Sequence, residues 1–279
     1  MLYRQFPKIA NVHLSILGLS VAGLNDSSRT ADFLAGAAEF GINFIASGPD
    51  PAHILRISEI LELTNETKDF FRFYQFSGNS GAELEAFLGT VQSTERDFLM
   101  IHLNSAEYFH EAEKSGILEK AAKARASGKI GGCGFSSGAD SLLIQQALDS
   151  HDGWDFFSAP FNFLRPDISG EIAYAARRSV GFIASDPFAG GLLENPGAAV
   201  HRLYENAPVL RSYSEWALRS IWENQAVVGI MYEPTTKDLL IRNAIFAEAG
   251  RPNSLPEKEL SVLDNAKKTL DRIDQIQQS

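Results

Sequence analysis

Eight times along this chain a short, strongly apolar run is followed by a segment of helical period, and few folds accommodate that rhythm. "SILGLS" (15–20) precedes a helical segment at 28–40, "INFIA" (42–46) one at 52–64, "FFRFYQF" (70–76) one at 80–93, and "FLMIHL" (98–103) one at 106–127. The second half continues with "IGGCGF" (130–135) before 139–149, "DFFSAPF" (155–161) before 168–178, "VGFIAS" (180–185) before a loop and 212–224, and "AVVGIMY" (226–232) before 235–247. In the first of the helical segments Ala31, Leu34, Ala35 and Ala38 fall on one face, the spacing of an amphipathic helix. Strands so uniformly apolar suit a parallel sheet covered on both faces. Eight such units in 279 residues predict an α/β chain folded as a closed (β/α)8 TIM barrel rather than an open doubly wound sheet. The stretch before the first run can make an N-terminal hairpin, and a charged segment, about 256–276, is expected as an extra C-terminal helix. Residues 1–279 are read as one domain.

Composition narrows the partners. The formal charge is −10 and no run of Lys or Arg exceeds a pair, which argues against nucleic acid or an anionic membrane surface. The single cysteine, Cys133, excludes an internal disulfide and a cysteine-cluster metal site and is expected as a buried small apolar residue. No H-x-x-x-H or H-E-x-x-H spacing occurs, so no metal site is expected, and His53, His110, His151 and His201 are read as surface residues. Tyr3, Arg4, Gln5 and Lys8 interrupt any N-terminal apolar run, and no stretch approaches the roughly 20 apolar residues of a membrane span. A soluble, cytoplasmic protein is expected.

On a barrel of this kind chemistry is sought at the C-terminal ends of the strands. His102, near the end of the fourth strand, can polarise a carbonyl or transfer a proton, or can be a buried histidine bonded to backbone. Ser136 and Ser137 end the fifth strand within "GKIGGCGFSSG" (128–138). That segment has neither the G-x-G-x-x-G spacing nor a Walker Lys-Ser/Thr pair, so its hydroxyls either bond a ligand amide or sugar or cap the following helix. Asp186 ends the seventh strand in "SDPFAGGLL" and reads more readily as a turn former before proline than as a ligand carboxylate. Glu233 follows the eighth strand, with Thr235 or Thr236 available to cap the last barrel helix. The long irregular segment 186–211 is expected as a mouth loop. No nucleophile, base and orienter can be assembled from local motifs.

Taken in order, these segments resemble the aldo-keto reductases, NAD(P)H-dependent (β/α)8 barrels, over nearly the whole chain. "GINFIASGPDPAHILRISEIL" (41–61) is similar to the family's "GINFFDTAPDYGHSEEILG", "FLMIHL" to its "DLLLIH", "GKIGGCGFSS" to "GKIRAIGVSN", and "ASDPFAGGLL" to "AYSPLAGGLL". The family reduces carbonyls with an Asp, Tyr, Lys and His tetrad. Position by position, the resemblance puts Ala46 at the Asp site, Pro51 at the Tyr site and Gln75 at the Lys site; only His102 matches. Proline carries no transferable proton and Gln75 no charge, and general acid catalysis of this kind contributes roughly 10²–10⁴-fold.

The resemblance also sets the cofactor expectations. Ser185 stands where the family commonly stacks a Tyr on the nicotinamide, and Ser158 where a Gln holds the carboxamide. Ser136 and Ser137 match the carboxamide pair loosely, and Asn243 the adenine-side Asn. One alignment puts Glu233 at the phosphate-binding Lys or Arg, where a carboxylate disfavours NADP more than NAD. The expectation is a barrel that has lost ordinary carbonyl reduction, serving as a binding protein or with altered chemistry in which His102 is acid or base and Gln75, Asn162 and Asp186 are polar contacts. The alternative is an active NAD(P)H oxidoreductase of a small carbonyl, its proton donor being His102, Tyr74 or His53. A protein partner docking on 186–211 or on the C-terminal stripe of Leu260, Leu263, Leu270, Ile273 and Ile276 is a third reading, against which stands simple packing of that stripe on the barrel.

Overall fold

A chain that buries eight apolar strands without exposing an edge must close them on themselves, and the computed structural model, which describes residues 1–63, 69–91, 94–165 and 167–278, has this closure. Ahead of the barrel, β1 (Tyr3–Gln5) and β2 (His13–Ser15) form an antiparallel hairpin. The parallel strands are β3 (Leu17–Ser20), β4 (Phe44–Ser47), β5 (Phe71–Phe76), β6 (Asp97–Leu103), β7 (Gly132–Ser137), β8 (Phe156–Pro160), β9 (Gly181–Ser185) and β10 (Val227–Tyr232). They follow one another in chain order around the ring, and β10 pairs with β3, Ile230 opposite Leu17, to shut it.

The barrel interior is built of phenylalanine. Phe73 and Phe98 stack with ring centroids 4.7 Å apart, Phe44 and Phe156 meet Phe73 edge-on at 5.6 and 5.1 Å, and Ile183, Met100 and Met231 complete this inner cluster. Room for the Phe44 ring comes from two glycines on neighbouring strands: a β-carbon on Gly18 would overlap it, and one on Gly229 would lie 3.0 Å from it. The floor is closed by the hairpin. Phe6 packs on Phe98 and Phe156 at 5.7 and 5.9 Å, and the Arg4 guanidinium donates to the carbonyls of Trp222, Asn224, Val227 and Gly250.

The helices are α1 (Ser27–Glu39), α2 (Pro51–Leu63), α3 (Gly81–Leu88), α4 (Ala106–Lys114), α5 (Ile117–Ala126), α6 (Ser141–Ser150), α7 (Ser169–Arg177), α8 (Gly197–Glu205), α9 (Tyr213–Trp222), α10 (Lys237–Phe246) and α11 (Glu257–Gln278). Side-chain caps explain several starts: Asp26, Ser80, Ser105, Asp140, Ser212 and Thr236 each accept from a backbone N–H in the first turn. Proline opens α2, where its missing N–H costs nothing. The C-terminal stripe packs inward, with Leu263, Ala266 and Leu270 buried, while Leu260 stays partly exposed; Ile276 lies outside the described side chains. Among the described residues no helix is long and apolar enough to cross a membrane.

Several expectations need correction. The segment 106–127 is two helices, broken where Gly116 takes a left-handed φ of 80°. The segment 186–211 is not irregular throughout, since it contains α8. The helix expected at 52–64 is described to Leu63, and the one expected at 80–93 ends earlier, at Leu88, with Gly89 as its C-cap and a turn through Val91; residues 64 and 92–93 lie outside the described residues. His53 is not a surface residue: it is 5% exposed, with Nε2 3.1 Å from the Leu24 carbonyl oxygen. His110 and His201 are exposed and His151 is half-buried. Cys133 is buried, and burial raises its thiol pKa far above the ordinary value.

Candidate active site

The strands' C-terminal ends open into a cavity of about 650 Å3. Its chemistry follows from which side chain each strand leaves at its last turn of the pleat. His102, one residue from the end of β6, sits opposite Ser136 of β7, and this register brings imidazole Nδ1 to 3.0 Å from the Ser136 hydroxyl. Burial lowers the histidine pKa, so the ring is neutral at neutral pH. Its Nε2 has no hydrogen-bond partner among the described residues and is free to meet a ligand.

Around His102 the wall is small and hydroxyl-rich. Ala46, Gln75, Ser137, Ser158, Ser185 and Glu233 all line the cavity. Pro51 does not: it opens α2, exposed and outside the lining. Asn243 is 1% exposed within α10, also outside the lining, and neither amide atom has a hydrogen-bond partner. Asn162 is spent on the fold, donating to the Asp186 carbonyl at 3.0 Å and accepting from the Leu164 and Arg165 amides, so it is no ligand contact. Tyr74 and His53 likewise lie outside the cavity. Ser136 and Ser137 are not helix caps, because Asp140 caps α6.

Asp186 does line the cavity, as a turn former. Its φ is 46°, and its carboxylate accepts from the Gly190 amide at 2.7 Å. Two further residues that no motif announced border the cavity. Glu194 reaches the cavity from beyond the turn, half-buried, and burial raises its carboxyl pKa. Tyr232, the last residue of the neighbouring strand β10, borders the cavity with its ring packed towards the helices, 3% exposed and edge-on to Phe188 at 6.1 Å. Burial pushes the phenol pKa well above its ordinary range, and the Glu194 charge adds to that; the nearby Asn243 amide opposes it without making a hydrogen bond of good geometry. Nothing in the sequence places Glu194, whose position depends on a turn with positive φ at Asp186, Ala189, Gly190 and Gly191.

Three hydroxyls at the border of the cavity are buried and lack partners: Ser47 at 3% exposure, Ser137 at 5%, and Tyr232. A buried hydroxyl without a partner costs about 1–3 kcal/mol, and these three oxygens lie on the helix-facing side of their strands, out of reach of a ligand in the cavity. The charges are one-sided. Asp186, Glu194 and Glu233 line the cavity and, among the described residues, no Lys or Arg does. Nearby cations are committed elsewhere: Arg29 donates to the Thr235 carbonyl at 2.8 Å, and Lys237 pairs with Asp32 at 2.5 Å. The lining hydroxyls of Ser136, Ser158 and Ser185 suit an amide or a sugar. A pyrophosphate would meet carboxylates with no cation to offset its charge, so the residues present do not fit a nicotinamide dinucleotide.

No protein-family profile matches the sequence and no curated protein is significantly similar to it. Similarity is found in solved structures. The aldo-keto reductase AKR11C1 from Bacillus halodurans, in its holo form, superposes with a TM-score of 0.77 at 18% identity, over 95% of each chain. A thermostable aldo-keto reductase in complex with the inhibitor epalrestat gives 0.73 at 19% identity, over 95% of this chain and 100% of that one. At such identities the likeness is one of fold, and the barrel described above is an aldo-keto reductase fold.

Proposed function

On this aldo-keto reductase fold, we propose, ordinary nicotinamide-dependent carbonyl reduction has been lost and the mouth binds a small polar molecule, either held without turnover or processed by different chemistry centred on His102. The observation that supports this reading is the composition of the cavity wall. At the tetrad positions named by resemblance, Ala46 offers a methyl group and Gln75 a neutral amide, and Pro51 lies outside the cavity. Among the described residues lining the cavity there is no phenol–ammonium pair to deliver a proton to a carbonyl oxygen. Among the described residues lining the cavity His102 is the one imidazole, a group suited to acid–base work near neutral pH, with Ser136 bonded to its Nδ1. The partner is a small molecule at the barrel mouth, with no role for nucleic acid or membrane, and the protein belongs in the cytoplasm.

That free Nε2 supports one other reading, a slow, divergent NAD(P)H oxidoreductase with His102 as proton donor. A single experiment separates the two: calorimetric titration of the purified protein with NADPH and NADH, beside a carbonyl-reduction assay on the wild type and His102→Ala. The proposal expects no saturable binding of either nucleotide at millimolar concentration and no reduction above background. Saturable binding with turnover that disappears in His102→Ala would replace it with the oxidoreductase.

A further inference from the structure

Ser136 and His102 make a contact that binding alone does not require. Phe73, Met100 and Phe156 pack inside the barrel, and side chains alternate from face to face along a strand. Gln75, His102 and Ser158, each two residues beyond one of these, therefore face the barrel axis at the mouth. On β7, Cys133 and Phe135 belong to the layer beneath the helices, which turns Ser136 inward as well. All four line the cavity. Strand order makes them neighbours: β5, β6, β7 and β8 lie side by side, with His102 opposite Ser136 and Ser136 opposite Ser158.

The central pair has the geometry of a nucleophile and its base. The Ser136 hydroxyl lies 3.0 Å from His102 Nδ1, and in the tautomer with its proton on Nε2 the imidazole accepts from that hydroxyl. Burial keeps the ring neutral, and so able to take a proton, at neutral pH. Both residues are partly exposed, so a reactant in the cavity can reach the hydroxyl. Two neutral donors flank them: among the described residues neither the Gln75 amide nor the Ser158 hydroxyl has a hydrogen-bond partner. Donors beside a reacting carbonyl hold the negative oxygen that develops on it.

We propose that this cavity hydrolyses small uncharged carboxylic esters, with Ser136 as nucleophile, His102 as its base, and Gln75 and Ser158 as donors to the carbonyl oxygen. Ser136 Oγ bonds to the acyl carbon as its proton passes to His102 Nδ1. The electron pair pushed onto the carbonyl oxygen returns as the bond to the alkoxy oxygen breaks, and the alcohol leaves with the proton from the imidazolium. Water then adds to the acyl-serine, His102 again taking and returning the proton, and the carboxylic acid departs. An anionic ester would meet Asp186, Glu194 and Glu233 on the cavity wall. The inference rests on the reading that His102 works without a nicotinamide dinucleotide, and it names the reaction.

The test is 4-nitrophenyl acetate at neutral pH, followed by nitrophenol release and by peptide mass spectrometry of the quenched protein. An acetyl group is expected on Ser136. Hydrolysis above the buffer rate is expected to fall about 100-fold in Ser136→Ala and in His102→Ala, while Ser136→Cys is still acetylated at that position. Gln75→Leu is expected to lower kcat more than it raises KM. The wild-type rate is expected to rise with pH through a midpoint below the ordinary histidine value of about 6.5, since only the neutral ring accepts the proton. Thermal melts check that each variant folds. Acetyl groups on lysines or tyrosines alone, a Ser136→Ala protein as fast as the wild type, or no hydrolysis above buffer would each overturn the proposal. NADPH titrated into the same sample keeps the two levels apart. Absence of ester turnover without NADPH binding removes only the acyl chemistry, whereas NADPH binding with carbonyl reduction removes the reading beneath it.

Discussion

His102 is the residue on which the functional reading turns, and its behaviour can be followed directly. Its pKa is lowered by burial, so the unfolded chain takes up the proton first as pH falls. Stability from this group is therefore complete above the unfolded value of about 6.5 and declines as pH drops towards the folded value. The loss is small, because the ring is half-exposed. We expect the His102 ring resonances to titrate below the ordinary histidine midpoint, and His102→Gln to flatten the decline in stability between neutral and mildly acid pH, read by chemical denaturation. Ser136→Ala is expected to leave stability nearly unchanged while broadening the His102 ring signals, because the only bond holding Nδ1 is lost. His102 and Ser136 were legible in the sequence because strand ends on a barrel are mouth positions whatever the loops do. Glu194 was not, since its place depends on a turn whose backbone angles no local pattern encodes. Asn162 misled because a polar side chain after a strand has two uses, and here the loop backbone takes its carbonyl oxygen and one amide N–H.

Among the elements, two glycines show how differently the same residue type can constrain a fold. Gly116 separates α4 from α5 at a φ of 80°, with nothing within 4 Å of where a β-carbon would stand. Gly116→Ala is thus expected to cost about 1–2 kcal/mol, purely from the left-handed backbone. Gly18 has an ordinary φ but faces the Phe44 ring. Gly18→Ala is expected to cost about 1–3 kcal/mol through overpacking, part of which Phe44→Leu in the same molecule restores; denaturant unfolding of the singles and the double reads the coupling. The eight strands were legible because apolar runs bounded by polar helices leave little choice. The split of 106–127 was not, because Gly116 sits between two stretches that each keep a helical period, and only its φ distinguishes a tolerated glycine from a break. The short helix α8 escaped for the related reason that its buried residues, Val200 and Tyr204, make too brief a pattern to outweigh the glycines and prolines before it.

For the molecule as a whole, the ends of the chain hold the barrel together. α11 packs on α8 and α9, burying Leu263, Ala266 and Leu270. Its Glu259 pairs with Arg211, whose guanidinium lies over the Trp216 ring at 4.9 Å. Removing 257–279 is expected to destabilise the fold by several kcal/mol, about 1.5–3 kcal/mol for each large apolar side chain uncovered, and to red-shift tryptophan emission as Trp216 meets water. A truncation that melts like the full chain would instead leave that surface free for a protein partner. At the other end, Arg4 fastens the hairpin to carbonyls between 218 and 246 positions further along the chain. Those carbonyls belong to residues synthesised more than two hundred positions later. While the protein is being made, the first few residues therefore have nothing to hold, and Phe6 and the underside of the phenylalanine core stay wet until the last strand has left the ribosome. The hairpin must wait for the whole barrel before it can dock, and a nascent form will present that apolar floor to chaperones until β10 has been made.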